Sequence, residues 1–401
     1  MTAQGLLRCL QLFFGRPVAA LALALLGACG SVPLSAPGTG APQAWPVPAS
    51  SVPGTGMAPG DTGVIGPVIV QRNSRWVPVR WADLPGFESD ALFEAWNAWL
   101  KSCERPGAVF APLCPEVRRL SIGDETMQRA WLQSRLQPYR VEPLQGTQAA
   151  GLLTAYYEPE FVARRQPGDG FNTPLYQVPV GLSPGKPWFT RRDVDTLPQA
   201  QTALQGRELV YLADQVDAML LQIQGSGRIR VSEPDGRQRL VRLAYAGHNG
   251  QPYQSIGRWL LDQGEVRDAS WPGIRAWIQQ NPQRVSELLW QNPRLVFFKE
   301  EALGDFDAGF GPRGAQGVPL TPGRSIAVDP NSIPYGTPVW LASEGPNVSL
   351  QRLVLAQDTG SAIVGAARAD YFVGWGAQAG ELAGRLKQPL RLWVLWPKVQ
   401  Q

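Results

Sequence analysis

The spacing of apolar residues predicts two amphipathic helices in the first third of the chain. The first opens at Ser89-Asp90, because serine and aspartate are favourable N-terminal helix caps, and an apolar stripe at helical spacing follows. The stripe consists of Leu92, Phe93, Trp96, Trp99 and Leu100. The second helix is predicted over residues 124–136, with Met127, Trp131 and Leu136 facing inward. Both stripes are typical of packing surfaces.

Short apolar segments separated by turns make up most of the remaining chain. Residues 151–159 are predicted to form a strand, and residues 165–265 to be rich in short strands and turns. Three short helices are predicted at 255–262, 270–280 and 282–291. Strands return at 325–328, 338–342, 350–356 and 390–395. This order predicts a mainly β protein with peripheral helices and barrel-like domains.

The N-terminus predicts export from the cytoplasm. Arg8 and Arg16 precede an apolar run at 18–26, which is too short to span a bilayer and is typical of a signal-peptide core. Small residues then lead to Cys29, a pattern that resembles a bacterial lipobox. We therefore expect residues 1–28 to be a lipoprotein signal peptide and Cys29 to be the lipidated first residue of the mature protein. An ordinary secretory cleavage site with an incidental cysteine is the alternative.

The residues after Cys29 bear on where the mature protein resides. Gly30, not aspartate, follows the cysteine, and the resemblance to sorted lipoproteins then implies the periplasmic face of the outer membrane. Several acyl chains on one cysteine give firm attachment to lipid. The stretch to about residue 67 is crowded with Pro, Gly, Ser and Ala and holds one charge, Asp61. We expect residues 29–78 to be a lipid-anchored linker.

Charge and cysteine content narrow the classes of function. The formal net charge of +4 falls to +2 without residues 1–28, which contain two arginines and no acids. No basic run is long enough to predict nucleic-acid binding. A single histidine, His248, excludes a His-rich metal site, and neither a metal nor another cofactor is predicted. In the mature chain Cys103 and Cys114 remain, and an oxidising periplasm permits a disulfide between them.

The most informative chemistry lies at Asp358. This carboxylate leaves an apolar strand and enters the Gly-rich turn DTGSAIVG at 358–365, which is followed by Arg368 and Asp370. A carboxyl at the end of a buried strand can be half-buried, with its pKa raised and one face open to a ligand. The alternative is an aspartate that only caps the turn, since Asp-Thr-Gly is good turn chemistry.

Several blocks of sequence together resemble the membrane-bound lytic murein transglycosylase A family, whose members cleave bacterial peptidoglycan. The blocks are TAYYEP (154–159), LQIQGSGR (221–228), YAGHNG (245–250), GVPLTPGRSIAVD (317–329), IPYGT (333–337), DTGSAIVG (358–365) and RAD (368–370). They follow the family order across residues 80–397, and Asp329, Asp358 and Asp370 match the three-aspartate pattern of the family's C-terminal module. Ala155 and His248 stand where the family has Gly and Lys.

The resemblance implies a discontinuous double-psi β-barrel catalytic domain at 79–160 and 295–401. A second β-rich, substrate-binding domain at 161–294 is inserted between these segments, and a groove between the two domains holds the glycan strand. The implied partners are peptidoglycan glycan strands and the outer-membrane lipid; cell-wall synthases or scaffold proteins are further partners that the sequence does not identify.

The resemblance also assigns the chemistry to Asp358. This residue would protonate the oxygen that joins N-acetylmuramic acid to N-acetylglucosamine and then take the proton of the C6 hydroxyl, which closes a 1,6-anhydro ring. The activity is that of a lyase in cell-wall turnover and recycling. Protonation at neutral pH requires a pKa above the ordinary value of about 3.9, so we expect Asp358 to be buried against apolar neighbours.

Other residues are expected to bind the glycan or to support Asp358. Gln222, Gln224, Gly225, Ser226 and Gly227 form a polar, Gly-hinged strip; the alternative is a β-bulge with buried glutamines. A second set, which could equally be packing residues, lines the facing wall: Thr154, Tyr156 and Tyr157. Asp370 either orients Asp358 or pairs with Arg368. Asp329, which precedes a proline, is expected to form a turn, and His248 to lie in a loop near the groove.

Two other classes of function are considered. An aspartic protease would use the Asp-Thr-Gly fingerprint, but such enzymes need two carboxylates that share a proton. This chain has one Asp-Thr-Gly, so it would have to dimerise through Asp358. A non-catalytic peptidoglycan-binding lipoprotein would keep the groove, although an intact Asp358 argues against it.

Overall fold

The structure, a computed structural model, describes residues 66–146, 150–183, 185–305, 307–346 and 348–398. The predicted signal peptide, the lipidated Cys29 and the linker as far as residue 65 lie outside the described residues. Within the described residues, no helix is both long enough and apolar enough to cross a bilayer.

Fifteen strands and ten α-helices are present in the described part of the chain. The strands are β1 (Ile69–Val70), β2 (Arg75–Pro78), β3 (Leu136–Glu142), β4 (Gly151–Glu158), β5 (Glu160–Arg164), β6 (Thr173–Tyr176), β7 (Glu208–Leu212), β8 (Ser226–Ser232), β9 (Gln238–His248), β10 (Val296–Ala302), β11 (Ser325–Val328), β12 (Pro338–Glu344), β13 (Ser349–Asp358), β14 (Arg368–Trp375) and β15 (Lys387–Pro397). The α-helices are α1 (Leu92–Ser102), α2 (Cys114–Arg119), α3 (Glu125–Arg135), α4 (Arg191–Thr196), α5 (Pro198–Leu204), α6 (Gln215–Gln224), α7 (Ile256–Asp262), α8 (Trp271–Gln280), α9 (Val285–Trp290) and α10 (Gly376–Arg385).

Six of these strands close into a barrel. The order is β15-β12-β13-β11-β14-β4, and β4 pairs with β15 to complete the ring. Two pairs, β11 with β13 and β14 with β4, are parallel, and the other four are antiparallel. Closure leaves the ring without a free edge. The prediction of a mainly β, barrel-based fold with peripheral helices is confirmed.

The second sheet has the order β10-β9-β8-β5-β7-β6. It is inserted in the sequence between the barrel strands β4 and β11, and only Pro159 separates β4 from β5. The predicted boundary at residue 295 would place β10 in the barrel domain. Because β10 pairs along its whole length with β9, residues 296–302 instead belong to the second sheet.

Alternation along the barrel strands separates two cores. Ile326 and Val328 of β11 point into the barrel, together with Val354 and Ala356 of β13. The intervening residues point outward, where Leu353 and Leu355 of β13 pack under a layer of tryptophans. That layer comes from α1 and α3 and consists of Trp96, Trp99 and Trp131, whose rings are 5.4–5.6 Å apart. Period-two alternation thus lets one sheet bury both faces.

The helical stripes were predicted correctly except at three residues. Phe93 is 55% exposed and Met127 is 52% exposed. Each is one helical position away from a packed residue, about 100° around its helix: Phe93 is next to the buried Leu92 of α1, and Met127 is next to the buried Gln128 of α3. Leu136 is buried as expected, but it begins β3 rather than ending the second helix.

Two regional predictions are wrong. The linker predicted over 29–78 includes β1 and β2, and β2 pairs with β3 so that Trp76 is fully buried. The segment at 165–265, expected to contain strands and turns, also contains α4, α5 and α6. A capping Asp214 opens α6, and Gly225, with a φ of 81°, ends it. The predicted polar strip therefore begins as the last turn of a helix.

A disulfide joins the end of α1 to α2 within the helical layer, and buried ion pairs attach that layer to the barrel. Cys103 and Cys114 form a disulfide with their Cα atoms 5.6 Å apart. Arg324, at 1% exposure, donates to Asp90 at 2.8 Å and to Glu94 at 2.8 Å. The same carboxylate of Asp90 accepts the backbone N–H of Leu353 at 2.8 Å. One buried arginine thus joins the start of α1 to two barrel strands.

We predict that Arg324→Met lowers the free energy of unfolding by about 3–5 kcal/mol, because it leaves the buried Asp90 carboxylate without its cation. Chemical denaturation of the purified protein measures the change. The control is Arg258→Gln, which removes an exposed pair with Asp262 and should leave the free energy of unfolding nearly unchanged. Equal losses in the two variants would contradict the role assigned to Arg324.

Candidate active site

A β-bulge sets the direction of the Asp358 side chain. In the pairing of β11 with β13, Ile326 lies opposite Ala356 and Ala327 lies opposite Asp358, so Gln357 is the extra residue. Without the bulge, Gln357 would occupy the position opposite Ala327 and Asp358 would turn to the other face. The bulge therefore places the carboxylate on the outer face of the barrel, beside the small side chain of Ala327.

Four adjacent strands, in the order β13-β11-β14-β4, place three polar side chains at the same level of that face. Ala327 of β11 lies opposite Asp358 on one side and opposite Asp370 of β14 on the other. Asp370 in turn lies opposite Thr154 of β4. Residues in register project to the same side of a sheet. Asp358, Asp370 and Thr154 thus form one polar row, although Thr154 is far from the two aspartates in the sequence.

Two donors hold the carboxylate of Asp358. The Tyr156 hydroxyl of β4 donates to Oδ2 at 2.8 Å. The backbone N–H of Ala315 donates to Oδ1 at 2.9 Å. One donor comes from the barrel and the other from the segment between β10 and β11, so two independent parts of the chain fix the orientation of the carboxylate.

The Ala315 N–H is presented by a tight hairpin at residues 311–320, which we call the acid hairpin. Its two arms are joined by the Gly311 N–H donating to the Leu320 carbonyl at 3.1 Å and the Gly314 N–H donating to the Val318 carbonyl at 3.0 Å. A Cβ atom at Gly314 would lie 2.5 Å from the Gln357 carbonyl oxygen and 3.2 Å from Asp358 Cβ. Only glycine allows this close approach.

Opposing effects act on the proton affinity of Asp358. Asp358 as a residue is partly exposed. Burial of its carboxyl raises the pKa above the ordinary aspartate value, while the hydrogen bonds from Tyr156 and the backbone lower the pKa. Burial is the larger effect, so the net direction is upward. The carboxyl thus combines a raised pKa with donors that stabilise its charged form, which is what a group that must both give and take a proton requires.

Asp370 is a second buried carboxyl in the row. The pKa of Asp370 is raised to about 6, chiefly by burial. The hydrogen bond from Thr154 and the charge of Arg368 act to lower this pKa, and the charge of Asp358 acts to raise it. The Thr154 hydroxyl donates to Asp370 in a short hydrogen bond and accepts from Arg368 at 2.9 Å. Asp370 therefore interacts with Arg368 through Thr154 and with Asp358 through its charge.

Gln357, the extra residue of the bulge, is held by the helical layer on the outer face of the barrel. Its side chain is fully buried and donates to the Ala98 carbonyl at 2.9 Å and to the Ser102 hydroxyl at 2.8 Å, both in α1. Its carbonyl accepts the N–H of Gln316 in the acid hairpin at 3.0 Å. The residue next to Asp358 thus connects the helical layer, the bulge and the hairpin.

The structure brings some of the predicted glycan-binding residues to Asp358 and places others elsewhere. Tyr156 bonds Asp358 directly, whereas the backbone N–H of Tyr157 donates to Gln224 Oε1 at 3.0 Å. Gln222 is buried and accepts from Arg191 at 2.6 Å, so it is a structural partner within the second sheet's helices. Ser226 and Gly227 begin β8 and are buried.

Asp329 has the local role that the sequence predicted, whereas His248, which was expected in a loop, is the last residue of β9 and pairs with Val296. Asp329 Oδ1 accepts the Asn331 N–H at 2.9 Å within the turn, and Oδ2 accepts the Gly365 N–H at 2.9 Å. Burial opposes these hydrogen bonds, but the net pKa of Asp329 is lowered. His248 Nδ1 accepts the Gly250 N–H at 2.9 Å in the loop after β9, and burial lowers its pKa.

Ala315 and Gln357 are site residues that the sequence analysis missed. Alanine contributes only its backbone N–H, which side-chain chemistry does not reveal. The glycines at 314 and 317 do signal a tight turn before β11. A bulge at Gln357 leaves no comparable signal, because it depends on which strand pairs with β13.

A closed barrel interrupted by an inserted sheet, with a shielded carboxyl on the barrel's outer face, defines a known class of fold. The MltA-specific insert domain matches residues 152–299. The 3D domain matches residues 324–396, which include Asp358. The two matches cover the second sheet and the C-terminal strands of the barrel. The chain belongs to the membrane-bound lytic murein transglycosylase A family.

Individual relatives agree with this assignment. Membrane-bound lytic murein transglycosylase A of Vibrio cholerae is 34% identical over 256 residues, which are 61% of this chain and 65% of that protein. The lytic transglycosylase LtgG of Burkholderia pseudomallei is 42% identical, with a TM-score of 0.55, and the match covers 84% of this chain and 99% of that one. MltA from Neisseria gonorrhoeae is 28% identical, with a TM-score of 0.68 over 85% of this chain and 97% of that one.

We predict that Tyr156→Phe raises the pKa of Asp358 further, by on the order of one pH unit, because a donor to the charged form is lost. Titration of the Asp358 carboxyl carbon by NMR, assigned through Asp358→Asn, measures the change. The control is Tyr211→Phe in β7 of the second sheet, which should leave that titration unchanged. An unchanged pKa in Tyr156→Phe would show that the hydroxyl does not stabilise the carboxylate.

Proposed function

We propose that the protein is a peptidoglycan lytic transglycosylase in which Asp358 is the general acid and then the general base. It cleaves the β-1,4 bond from N-acetylmuramic acid to N-acetylglucosamine without water and leaves a 1,6-anhydro end. The observation that carries this proposal is a shielded carboxyl with a raised pKa that is held by two donors. Membership of the family supports the choice of substrate.

In the first step, protonated Asp358 gives its proton to the glycosidic oxygen. The bond from C1 of the muramic acid to this oxygen breaks, and C1 becomes oxocarbenium-like. The charge left on Asp358 is stabilised by the Tyr156 hydroxyl and the Ala315 N–H, which both point at the carboxylate before the reaction. General acid catalysis of this kind contributes about 10²–10⁴-fold to rate.

In the second step, the C6 hydroxyl of the same sugar attacks C1, and its proton passes to the Asp358 carboxylate. Atoms and charge balance without water, and the carboxyl returns to its starting form. An ordinary glycosidase instead needs a second carboxylate as nucleophile or base. Asp370 is the nearest candidate in the row, but its carboxylate accepts the Thr154 hydroxyl that also binds Arg368. We assign Asp370 to positioning Thr154 and to holding negative charge near Asp358.

The glycan is proposed to lie in a groove between the barrel and the inserted domain, whose predicted bounds of 161–294 extend to 160–302 once β5 and β10 are counted with the second sheet. Thr154 and Tyr156 line the groove beside Asp358. On the facing side, Gln224 is better placed than Gln222 to contribute, since Gln222 is buried and bound to Arg191, whereas Gln224 is partly exposed. A solved relative, MltA of Escherichia coli, holds bound chitohexaose; it is 26% identical to this chain with a TM-score of 0.63. A β-1,4-linked amino-sugar oligomer is therefore a suitable probe ligand.

The protein is further proposed to act at the periplasmic face of the outer membrane, held there by acyl chains on Cys29. The lipobox-like sequence supports attachment, and the relatives named above include proteins described as membrane-bound. An enzyme anchored in this position would release fragments for cell-wall turnover and recycling.

The proposal predicts that digestion of purified murein sacculi releases muropeptides with 1,6-anhydro ends, detected by mass spectrometry. Asp358→Asn should reduce release by at least about 10²-fold, because the amide cannot donate the proton, while sacculus binding stays near that of the unaltered protein. The control is Asp262→Asn on α7, an exposed aspartate, which should release fragments at the normal rate.

Each other product identifies a different function. Reducing-end sugars would indicate a hydrolase, with Asp370 as the base that activates water. Cut stem peptides would indicate a protease, and binding without release would indicate a non-catalytic peptidoglycan-binding protein. Substantial release by Asp358→Asn would remove Asp358 from its assigned role.

A further inference from the structure

A buried charge cluster joins the second sheet to the barrel. It consists of Glu158 at the end of β4, Arg228 of β8 and Arg242 of β9, with side chains 0%, 5% and 7% exposed. Arg228 Nε donates to Glu158 at 2.9 Å, and Arg242 Nε donates to Glu158 at 2.6 Å. Two arginines from one sheet thus share a single carboxylate from the other.

The same two arginines also bind the backbone at Phe310. Arg228 and Arg242 both donate to the backbone carbonyl of Phe310, at 3.0 Å and 2.7 Å. Phe310 lies in the segment that returns from the second sheet to the barrel, while Glu158 lies where the chain leaves the barrel. The cluster therefore fixes both crossings between the two sheets.

Each crossing leads within a few residues to one of the donors of Asp358. Tyr156 precedes Glu158 by two residues on β4 and lies on the same face of that strand. Phe310 immediately precedes the acid hairpin, which presents the N–H of Ala315. The two donors to Asp358 come from distant parts of the sequence. The charge cluster binds Glu158, which is close to Tyr156, and Phe310, which directly precedes the acid hairpin.

The charge cluster carries an unfavourable free energy compared with an apolar domain junction. Arg228 and Arg242 lie directly opposite each other on β8 and β9, and like charges in that position destabilise a sheet. Three buried ionic groups also cost more to desolvate than apolar side chains of the same volume. The excess positive charge is met by the Phe310 carbonyl and by the Trp375 ring, whose centre is 3.8 Å from the Arg228 guanidinium carbon. A role beyond stability accounts for this arrangement.

We propose that Glu158, Arg228 and Arg242 are positioning residues that set the geometry of both hydrogen-bond donors to Asp358. The second sheet then acts on the acid of the barrel, in addition to any contact it makes with the glycan. The catalytic part of this inference rests on the proposed function, whereas the geometric part does not require any activity.

The test uses Arg242, which binds Glu158 and Phe310, because Arg228 binds the same two residues and also packs on the Trp375 ring. Arg242→Met removes both contacts and leaves Glu158 paired one-to-one with Arg228, so no buried charge loses its partner. We expect the pKa of Asp358 to rise by roughly half a pH unit, since its donors are less well held, and amide exchange in the acid hairpin to become about tenfold faster. Carboxyl-carbon NMR and hydrogen-exchange mass spectrometry of the full chain measure the two effects.

Arg242→Lys distinguishes the effect of the hydrogen-bond geometry at Glu158 and Phe310 from the effect of the positive charge at position 242. The titratable groups that face Asp358 are Tyr156 of β4, Asp370 of β14 and Tyr335 before β12, and none is changed by this substitution. Lysine keeps the charge but lacks the planar fork that bridges Glu158 and Phe310. A smaller shift in the same direction is expected, and it carries the test if Arg242→Met does not fold.

Arg165→Met is the matched control on the same sheet. Arg165 also binds two carboxylates, Glu233 at 2.9 Å and Glu300 at 2.8 Å, and one backbone carbonyl, that of Leu209 at 2.7 Å. It contacts neither crossing, so its loss should lower stability without changing the titration of Asp358 or exchange in the acid hairpin. An unchanged titration and unchanged exchange in the Arg242 variants, or equal changes in Arg165→Met, would overturn the proposal. Because neither readout depends on products, this result is distinct from a failure of the sacculus assay.

Discussion

The site depends on the balance of opposing effects on one carboxyl. Burial makes the charged form of Asp358 costly and raises its pKa, while the Tyr156 hydroxyl and the Ala315 N–H favour the charged form. Burial without donors would leave an acid that gives up its proton only with difficulty. Donors without burial would leave a carboxylate that is already ionised at neutral pH. Both must be present together, and this requirement explains why so much of the surrounding chain serves to hold two donors in place.

The bulge at Gln357 shows how the barrel meets this requirement. A regular pairing of β11 with β13 would turn Asp358 to the other face of the sheet, into the interior of the barrel. The extra residue turns the aspartate to the open side, and its own polar side chain is satisfied by α1. The tryptophan layer that holds α1 on the barrel therefore supports the site as well as the core, since moving α1 would leave a buried glutamine without partners.

The sequence predicts those parts of the fold and site that local patterns determine. Helical spacing located α1, helix-start residues located α7 and α8, short apolar segments between turns located β4 and β11, and Asp358 was identified by its exit from an apolar strand into a Gly-rich turn. The remaining features of the site depend on which strands pair across long distances in the sequence. The opposition of Ala327 to both Asp358 and Asp370 follows from strand order, and Ala315 contributes only a backbone group. The family resemblance supplied the two-sheet architecture, which spacing alone did not.

The place of the insertion in the barrel explains why one short motif carries several functions. The second sheet begins one residue after β4 ends, so TAYYEP at 154–159 is at once a barrel strand, a wall of the site and a domain junction. Within it, Thr154 binds Asp370, Tyr156 binds Asp358 and Glu158 binds the two arginines of the second sheet. These three residues alternate along one face of one strand. A domain inserted at the opposite end of the barrel could still cover a glycan, but it could not act on the acid through a rigid strand of five residues.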